Sequence, residues 1–291
     1  MRGVGEATAA ITIVNALPTG VGAAAGIELR TRASVELGLR REGSDSLPKI
    51  RPEGSATPLV YAAVAEGMRT FAPGEFVPVE IWVSSDIPSS AGLKSSSAVV
   101  SAILLAIANA VGRRPFPEEV ARKNAALGRS TGVSATGAFD DALAGLTGDA
   151  VLTDNRADRL IERFPLDPRL GVVLWIPPGS HAPAPSALER FRAGPAEALA
   201  PVRAARAGRL WEAMELNSGL VEEAMEYSYR DLRRTMQEAG AVASGVSGLG
   251  PVFAAVAPRD RVPGLLVRLR GRAGLVRSVD FSPSLAQEVF R

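Results

Sequence analysis

The chain has no cysteine, a single histidine (His181) and only three lysines, Lys49, Lys94 and Lys123. Without cysteine, disulfides and thiolate-ligated metal centres are excluded. One histidine does not supply a histidine-based metal site, and a serine–histidine triad is disfavoured with it. His181 sits in a Pro/Gly/Ala stretch and reads as a loop residue. Arginine carries most of the positive charge, yet the formal net charge is +2 and no block of like charges occurs. The electrostatic footprint of a nucleic-acid binder is therefore missing, and pairs such as Arg40–Arg41 and Arg233–Arg234 read as solvated faces. No apolar run reaches the roughly eighteen residues of a membrane span. The N-terminus shows no basic-then-apolar export signal. No membrane partner and a cytoplasmic location are expected.

What is present fits a globular enzyme. The 291 residues are 46% hydrophobic and 22% charged, enough for one large or two modest domains with a sizeable core. Period-two alternation predicts strands over Thr8–Asn15, Ile27–Leu39 and Val77–Val83. The Gly/Ala/Pro-rich stretch Ala16–Gly26 reads as a loop open to close backbone approach, and residues 41–54 as an exposed turn. Helices are expected over Leu59–Thr70, Ser95–Val111, Phe116–Arg129 and Phe139–Leu146, with a strand at Ala150–Thr153. Composition changes near 155–170, which places a division between residues 1–160 and 161–291. The second part reads as a strand at Leu170–Ile176, helices near 184–192, 195–205, 208–225 and 229–238, a strand–loop–strand over 241–256, a helix at Val262–Leu269 and a last strand to Phe281. The class is α+β, helices lying against antiparallel sheets. Trp82, Trp175 and Trp211 fall on apolar patterns and read as core residues.

One stretch speaks directly about chemistry. Pro88, Ser89, Ser90, Ala91, Gly92, Leu93, Lys94, Ser95, Ser96 and Ser97 run into Ala98, with an alternating strand before them and a long apolar helix after. A helix start offers unpaired N–H groups and the positive end of the helix dipole. Glycine lets an anion reach those groups, and serine hydroxyls can donate to phosphate or ligate Mg²⁺. Lys94 adds a positive charge at the mouth. The competing reading is a serine-capped buried helix behind a flexible turn. Neither a G-x-x-x-x-G-K-[ST] nor a G-x-G-x-x-G pattern is present, so a nicotinamide-type site lacks its strand–loop–helix order. Gly20-Val21-Gly22 and Gly248-Leu249-Gly250 are each weak signals alone.

The pattern P-x-x-x-G-L-x-S-S-x-A at 88–98 resembles the ATP phosphate loop of the GHMP kinase superfamily. Ser244-Gly245-Val246-Ser247-Gly248-Leu249-Gly250-Pro251 resembles its third motif, a glycine-rich loop near phosphates and substrate. The P-x-R-x-N-L-x-G-x-H motif of galacto- and mevalonate kinases is absent. Ile11–Ala16, Gly20, Gly22–Ile27, Lys94 and Thr136-Gly137-Ala138-Phe139-Asp140-Asp141-Ala142 are instead similar to the archaeal-type shikimate kinase branch, over essentially the whole chain. Val21 departs from that branch, which has a basic residue there.

The resemblance implies a GHMP kinase fold: an N-terminal domain like the second domain of ribosomal protein S5, then a ferredoxin-like C-terminal domain, with ATP and substrate in the cleft between. It implies ATP-dependent phosphorylation of the 3-hydroxyl of shikimate, on the way to chorismate and aromatic amino acids, with Mg²⁺. Alignment with the Asp-Asn-Ala stretch of mevalonate-type kinases puts Asp140 at the catalytic aspartate, which takes the proton of the attacking hydroxyl, and Asp141 beside metal or substrate. Two acids at a helix start also suit the helix dipole without any catalytic role, and adjacent helical residues point about 100° apart. Ser96 matches the metal-side serine, whereas the glutamate other members supply before the catalytic aspartate is absent from 122–139. Asn15, Thr19, Gly22 and Gly248 are candidates to line the acceptor pocket, Asn15 being equally readable as a buried strand-end amide. A substrate carboxylate calls for an arginine fork, and the sequence does not select one. The alternatives are a homoserine- or mevalonate-type kinase and a non-catalytic nucleotide-binding sensor. Oligomeric state is left open.

Overall fold

The computed structural model describes residues 1–39, 48–74, 76–89, 92–179, 184–194 and 196–283. His181, Ser90, Ala91, Arg40, Arg41 and the first half of the expected turn at 41–54, residues 41–47, lie outside them; its described half contains a short strand, Lys49–Arg51. In chain order the described elements are β1 (Arg2–Val14), β2 (Val21–Leu39), β3 (Lys49–Arg51), α1 (Pro58–Phe71), β4 (Phe76–Ser85), α2 (Ser95–Ala110), α3 (Pro117–Ser130), α4 (Phe139–Thr147), β5 (Ala150–Asp154), β6 (Arg159–Phe164), β7 (Leu170–Ile176), α5 (Pro185–Arg192), α6 (Leu199–Arg206), α7 (Leu210–Met225), α8 (Arg230–Glu238), β8 (Ala243–Val246), β9 (Phe253–Pro258), α9 (Val262–Leu269) and β10 (Leu275–Asp280).

The first sheet is organised by the long strand β2. One edge pairs antiparallel with β1, from Arg2↔Glu36 to Val14↔Ala23. The other edge is shared: Val21–Ala25 pair with β5 and Thr31–Leu39 with β4. The loop expected over Ala16–Gly26 is therefore short. It ends at Gly20, whose N–H closes onto Ala16 O at 2.7 Å, and Val21–Gly26 is strand. Alanine and glycine are poor strand formers in isolation, but here their small size lets helices approach the sheet. A Cβ on Gly26 would stand 2.6 Å from Ala144 O of α4, and one on Gly145 of α4 would stand 2.4 Å from Thr8 O. Gly3 and Gly5 make the same room for α2. Tight helix-on-sheet contact outweighs local propensity here.

The second sheet has the order β10-β7-β9-β8, every neighbour antiparallel. With helices between β7 and β8 and between β9 and β10, this is the ferredoxin-like arrangement implied by the resemblance. α8 and α9 cover one face around Phe253, Leu232, Met236 and Leu265. Val172, Leu174, Ala254 and Val256 on the other face join the main core with α6 and α7. The two sheets thus share one core, and Phe281 bridges back to Ile27 of β2. β6, across which the expected division at 160/161 falls, pairs with β5.

Candidate active site

α2 starts with an uncapped turn. Lys94 precedes it with left-handed backbone (φ 67°), and no side chain caps the helix. The competing reading had serines capping this helix, but Ser95, Ser96 and Ser97 lie inside the first turn. Their N–H groups have no intrahelical acceptor, the first bond being Ala98 N–H to Lys94 O at 3.1 Å. The three serines and Ser89 line a cavity of about 890 Å³, walled elsewhere by apolar side chains such as Leu59, Val60, Ile87 and Val99. Unpaired N–H groups, the helix dipole and hydroxyls at one end make that end an anion site. Leu93 is buried and anchors the loop in the core. Pro88 is half-buried and outside the cavity lining.

Gly92 serves a different purpose from the one its motif suggested. Its φ is +80°, and a Cβ there would stand 2.4 Å from the carbonyl oxygen of Ser247. Close approach is to the second glycine-rich loop, not only to a ligand. Ser247 Oγ donates to Gly92 O at 2.8 Å, Thr12 N–H donates to Ser247 Oγ at 3.3 Å, and Gly248 N–H donates to Thr12 Oγ1 at 2.8 Å. Three segments far apart in sequence are fixed to one another at this point.

A second cavity, of about 590 Å³, opens on the far side of this junction. It is lined by Thr12, Asn15, Asp140, Arg192 and Gly248 among others, and it shares Gly92, Lys94, Val133, Ser134, Ala138 and Asp141 with the first. Asp140 lines only the second cavity, whereas Asp141 lines both. Their adjacent positions at the start of α4 turn them to different sides, as helix geometry requires.

Asp140 is only 4% exposed. Its Oδ1 accepts from Asn155 Nδ2 at 2.7 Å, and Asn155 Oδ1 accepts from Thr153 Oγ1 at 2.6 Å. Its Oδ2 faces Gly22, where a Cβ would stand 2.4 Å away. Gly22 therefore does not line the acceptor cavity; it makes room for Asp140 from beneath, on β2. Burial, then the neighbouring Asp141 charge, push the Asp140 carboxyl up to about 7, against the pull of Lys94 and Asn155. Asp141 is 7% exposed, and its Oδ2 pairs with Lys94 Nζ at 3.1 Å. Burial raises its affinity for a proton as well, and Lys94 opposes that shift. Its Oδ1 is buried with no hydrogen-bond partner.

The remaining candidates divide. Asn15 lines the acceptor cavity, but its Oδ1 accepts from Leu17 N–H at 2.9 Å and its Nδ2 donates to Gly248 O at 3.2 Å. It braces the loop after β1 against the second glycine-rich loop. Thr19 stays in the β1–β2 turn, where Oγ1 accepts from Val21 N–H at 3.1 Å, and it lines neither cavity. Arg129 holds the segment before α4: it pairs with Asp158 and donates to the carbonyl oxygens of Thr136 (3.3 Å) and Asn155 (3.5 Å).

Trp82 corrects the sequence reading. It is 54% exposed and lines the larger cavity instead of the core. Its strand phase is legible afterwards: Ile81 and Val83 are buried, so Trp82 shares the outward face with Glu80 and Ser84. Trp175 and Trp211 are half-buried against Tyr229 and Phe281. Asn155, Thr153 and Arg192 were not singled out from sequence, because no motif surrounds them, and Thr12 was passed over within Ile11–Ala16.

The GHMP kinases N terminal domain model matches residues 58–149, which contain α1 to α4 and the phosphate loop. The chain is 35% identical to the shikimate kinase of Halobacterium salinarum, over 95% of this chain and 96% of that protein. It is also 35% identical to the shikimate kinase of Thermococcus kodakarensis, over 86% and 90% respectively. The chain belongs to the shikimate kinase family of GHMP kinases. The fold agrees: the Methanococcus jannaschii mevalonate kinase structure superposes with a TM-score of 0.69 at 12% identity, covering 97% of this chain and 99% of that one. The putative homoserine kinase of Listeria monocytogenes gives 0.67 at 19% identity, covering 98% and 97%. At those identities the likeness concerns fold alone. Among the described residues no helix is long and apolar enough to cross a membrane.

Proposed function

We propose that this chain transfers the γ-phosphoryl group of ATP to the 3-hydroxyl of shikimate, giving shikimate 3-phosphate and ADP in the route to chorismate and aromatic amino acids. The observation that carries the reading is the meeting of two cavities at the Lys94–Asp141 pair, with Asp140 facing only the smaller one. One cavity suits a nucleotide. Its apolar walls and Trp82 offer a flat aromatic surface to a base, and the uncapped start of α2 suits phosphates. The other mixes polar and apolar lining, is of small-molecule size, and contains a carboxylate raised toward neutrality.

Phosphoryl transfer asks the protein mainly for position and charge. Asp140, once ionised, accepts the proton of the acceptor hydroxyl as its oxygen bonds to phosphorus and the bond to ADP breaks. Asn155, itself held by Thr153, binds Asp140 Oδ1 and so fixes the orientation of the carboxyl. Lys94 places a positive charge where the two cavities meet. A divalent cation fits the donor set. Asp141 Oδ1 is a buried oxygen without a partner, and Ser96 lines the same cavity. Among the described residues no group of three or more His, Cys, Asp or Glu gathers as a metal site. Asp141 and Ser96 would then hold Mg²⁺ with phosphate oxygens and water completing its shell, as is usual for this ion. When bound it would neutralise phosphate charge.

The assignment is tested by a coupled ADP-release assay with shikimate, homoserine and mevalonate offered separately. Turnover is expected with shikimate. Turnover with homoserine or mevalonate and none with shikimate would overturn the acceptor, and ATP binding without turnover on any of them would favour a sensor.

A further inference from the structure

The fold selects one arginine at the acceptor cavity. Arg192 ends α5 and is the only arginine lining that cavity among the described residues. Its placement follows from packing. Phe191, next to it, is buried in a cluster with Val221, Val246, Leu17 and Leu249, which clamps α5 against the loop after β1 and the second glycine-rich loop. Leu188, one helical turn earlier, lines the same cavity, as residues four apart on a helix share a face. The neighbouring Arg190 instead lies against Glu226, 3.6 Å away.

The cavity's other cation, Lys94, is already paired with Asp141. Arg192 makes no ion pair with any described residue. A small cavity that holds a proton acceptor, Asp140, and an uncommitted guanidinium suits a hydroxy acid: hydroxyl toward the carboxylate, carboxylate toward the arginine fork. We propose that Arg192 binds the carboxylate of the acceptor and determines that the substrate is a hydroxy acid. This inference rests on the acceptor reading above.

Steady-state kinetics of the full chain test it, with Arg192→Gln and Arg192→Lys beside the unaltered enzyme. Shikimate is varied at saturating ATP, and ATP at saturating shikimate. Arg192 is solvent-exposed, so both variants are expected to melt with the parent. Losing a charge-assisted bidentate contact is expected to raise the shikimate KM of Arg192→Gln about 10- to 100-fold, with the ATP KM within about two-fold. Arg192→Lys is expected to fall between, because it keeps the charge without the fork. The methyl ester of shikimate provides a second readout. The unaltered enzyme should discriminate against it, and Arg192→Gln should lose most of that discrimination, since the two changes remove one contact. A shikimate KM unchanged in Arg192→Gln, a parallel rise in the ATP KM, or discrimination that survives the substitution would each overturn the assignment of Arg192 alone. Absence of shikimate phosphorylation by the unaltered enzyme would overturn the acceptor reading and this inference with it.

Discussion

The two cavities differ in how their walls are held. Around the acceptor, polar groups are bonded to one another: Thr153 to Asn155, Asn155 to Asp140, Asn15 to Gly248, Gly248 to Thr12. Around the nucleotide cavity the start of α2 is left without a side-chain cap, and Asp141 keeps an oxygen unpartnered. Preorganised polar groups suit a site that must hold one hydroxyl in one place. Unsatisfied groups suit a site whose charged ligand completes it. Asp140 and Asp141 are adjacent in sequence, yet Asp140 faces only the acceptor cavity while Asp141 lines both.

The contrast can be broken at its strongest point first. Asp140→Asn keeps the shape and removes the proton acceptor, so turnover should fall about 10²- to 10⁴-fold. Binding of a non-hydrolysable ATP analogue, read by calorimetry, should persist, because Asp140 does not line the nucleotide cavity. Unchanged turnover would move the role to Asp141. In the unaltered enzyme kcat/KM for the acceptor should rise with pH up to about 7 and then level off, since only ionised Asp140 accepts a proton. Stability should run the opposite way. With its affinity for a proton raised above the ordinary carboxylate value of 3.8, folded Asp140 binds more proton than the unfolded chain between there and about 7. Stability therefore falls as pH rises through that window, and urea midpoints should show Asp140→Asn flattening the fall.

Lys94 sharpens the comparison next. Lys94→Met leaves Asp141 buried without its partner at 3.1 Å, at a cost of about 3–5 kcal/mol in denaturant unfolding. kcat/KM for ATP should fall with it by about 10- to 100-fold. Lys94→Gly loses the same charge but relieves a left-handed backbone. It should therefore be more stable than Lys94→Met by about 1 kcal/mol while remaining equally poor with ATP. Equal stability of the two would remove backbone strain from the account.

Asn155→Ala acts only on the acceptor side. It removes a bond that holds the Asp140 affinity for a proton down, so the acid limb of the pH profile should move further up. At neutral pH kcat should fall about tenfold, the scale of one hydrogen bond to a charged group. The smallest effect belongs to Trp82→Ala, which should raise the ATP KM by only about three- to tenfold through lost stacking. The shikimate KM should not move, because Trp82 lines only the larger cavity, and a shift in it would contradict its assignment to the base.

How far the sequence reached follows from the range of the interactions involved. The phosphate loop, α2 and the start of α4 were legible because each is a local pattern whose meaning lies within a few residues. The strand character of Val21–Gly26 was not. Its alanines and glycines are explained only by α4 lying across them, some 120 residues later. Trp82 was legible in principle, from its phase between Ile81 and Val83. Asn155 follows β5 in a turn without a motif, and only the fold brings it to Asp140. Arg192 is one of thirty arginines, and the packing of Phe191 singles it out. Even Gly92, correctly marked as special, answers to the carbonyl of Ser247, far along the chain.

The central claim is that a hydroxyl of shikimate is phosphorylated in the cavity that Asp140 faces. Its most direct test is a ³¹P NMR time course of the purified protein with ATP, Mg²⁺ and shikimate, the product assigned through its proton couplings. The account predicts one new phosphomonoester, on the 3-hydroxyl, appearing in step with ADP and nearly absent with Asp140→Asn. A product on another hydroxyl, no phosphomonoester, or the same time course with Asp140→Asn would contradict it.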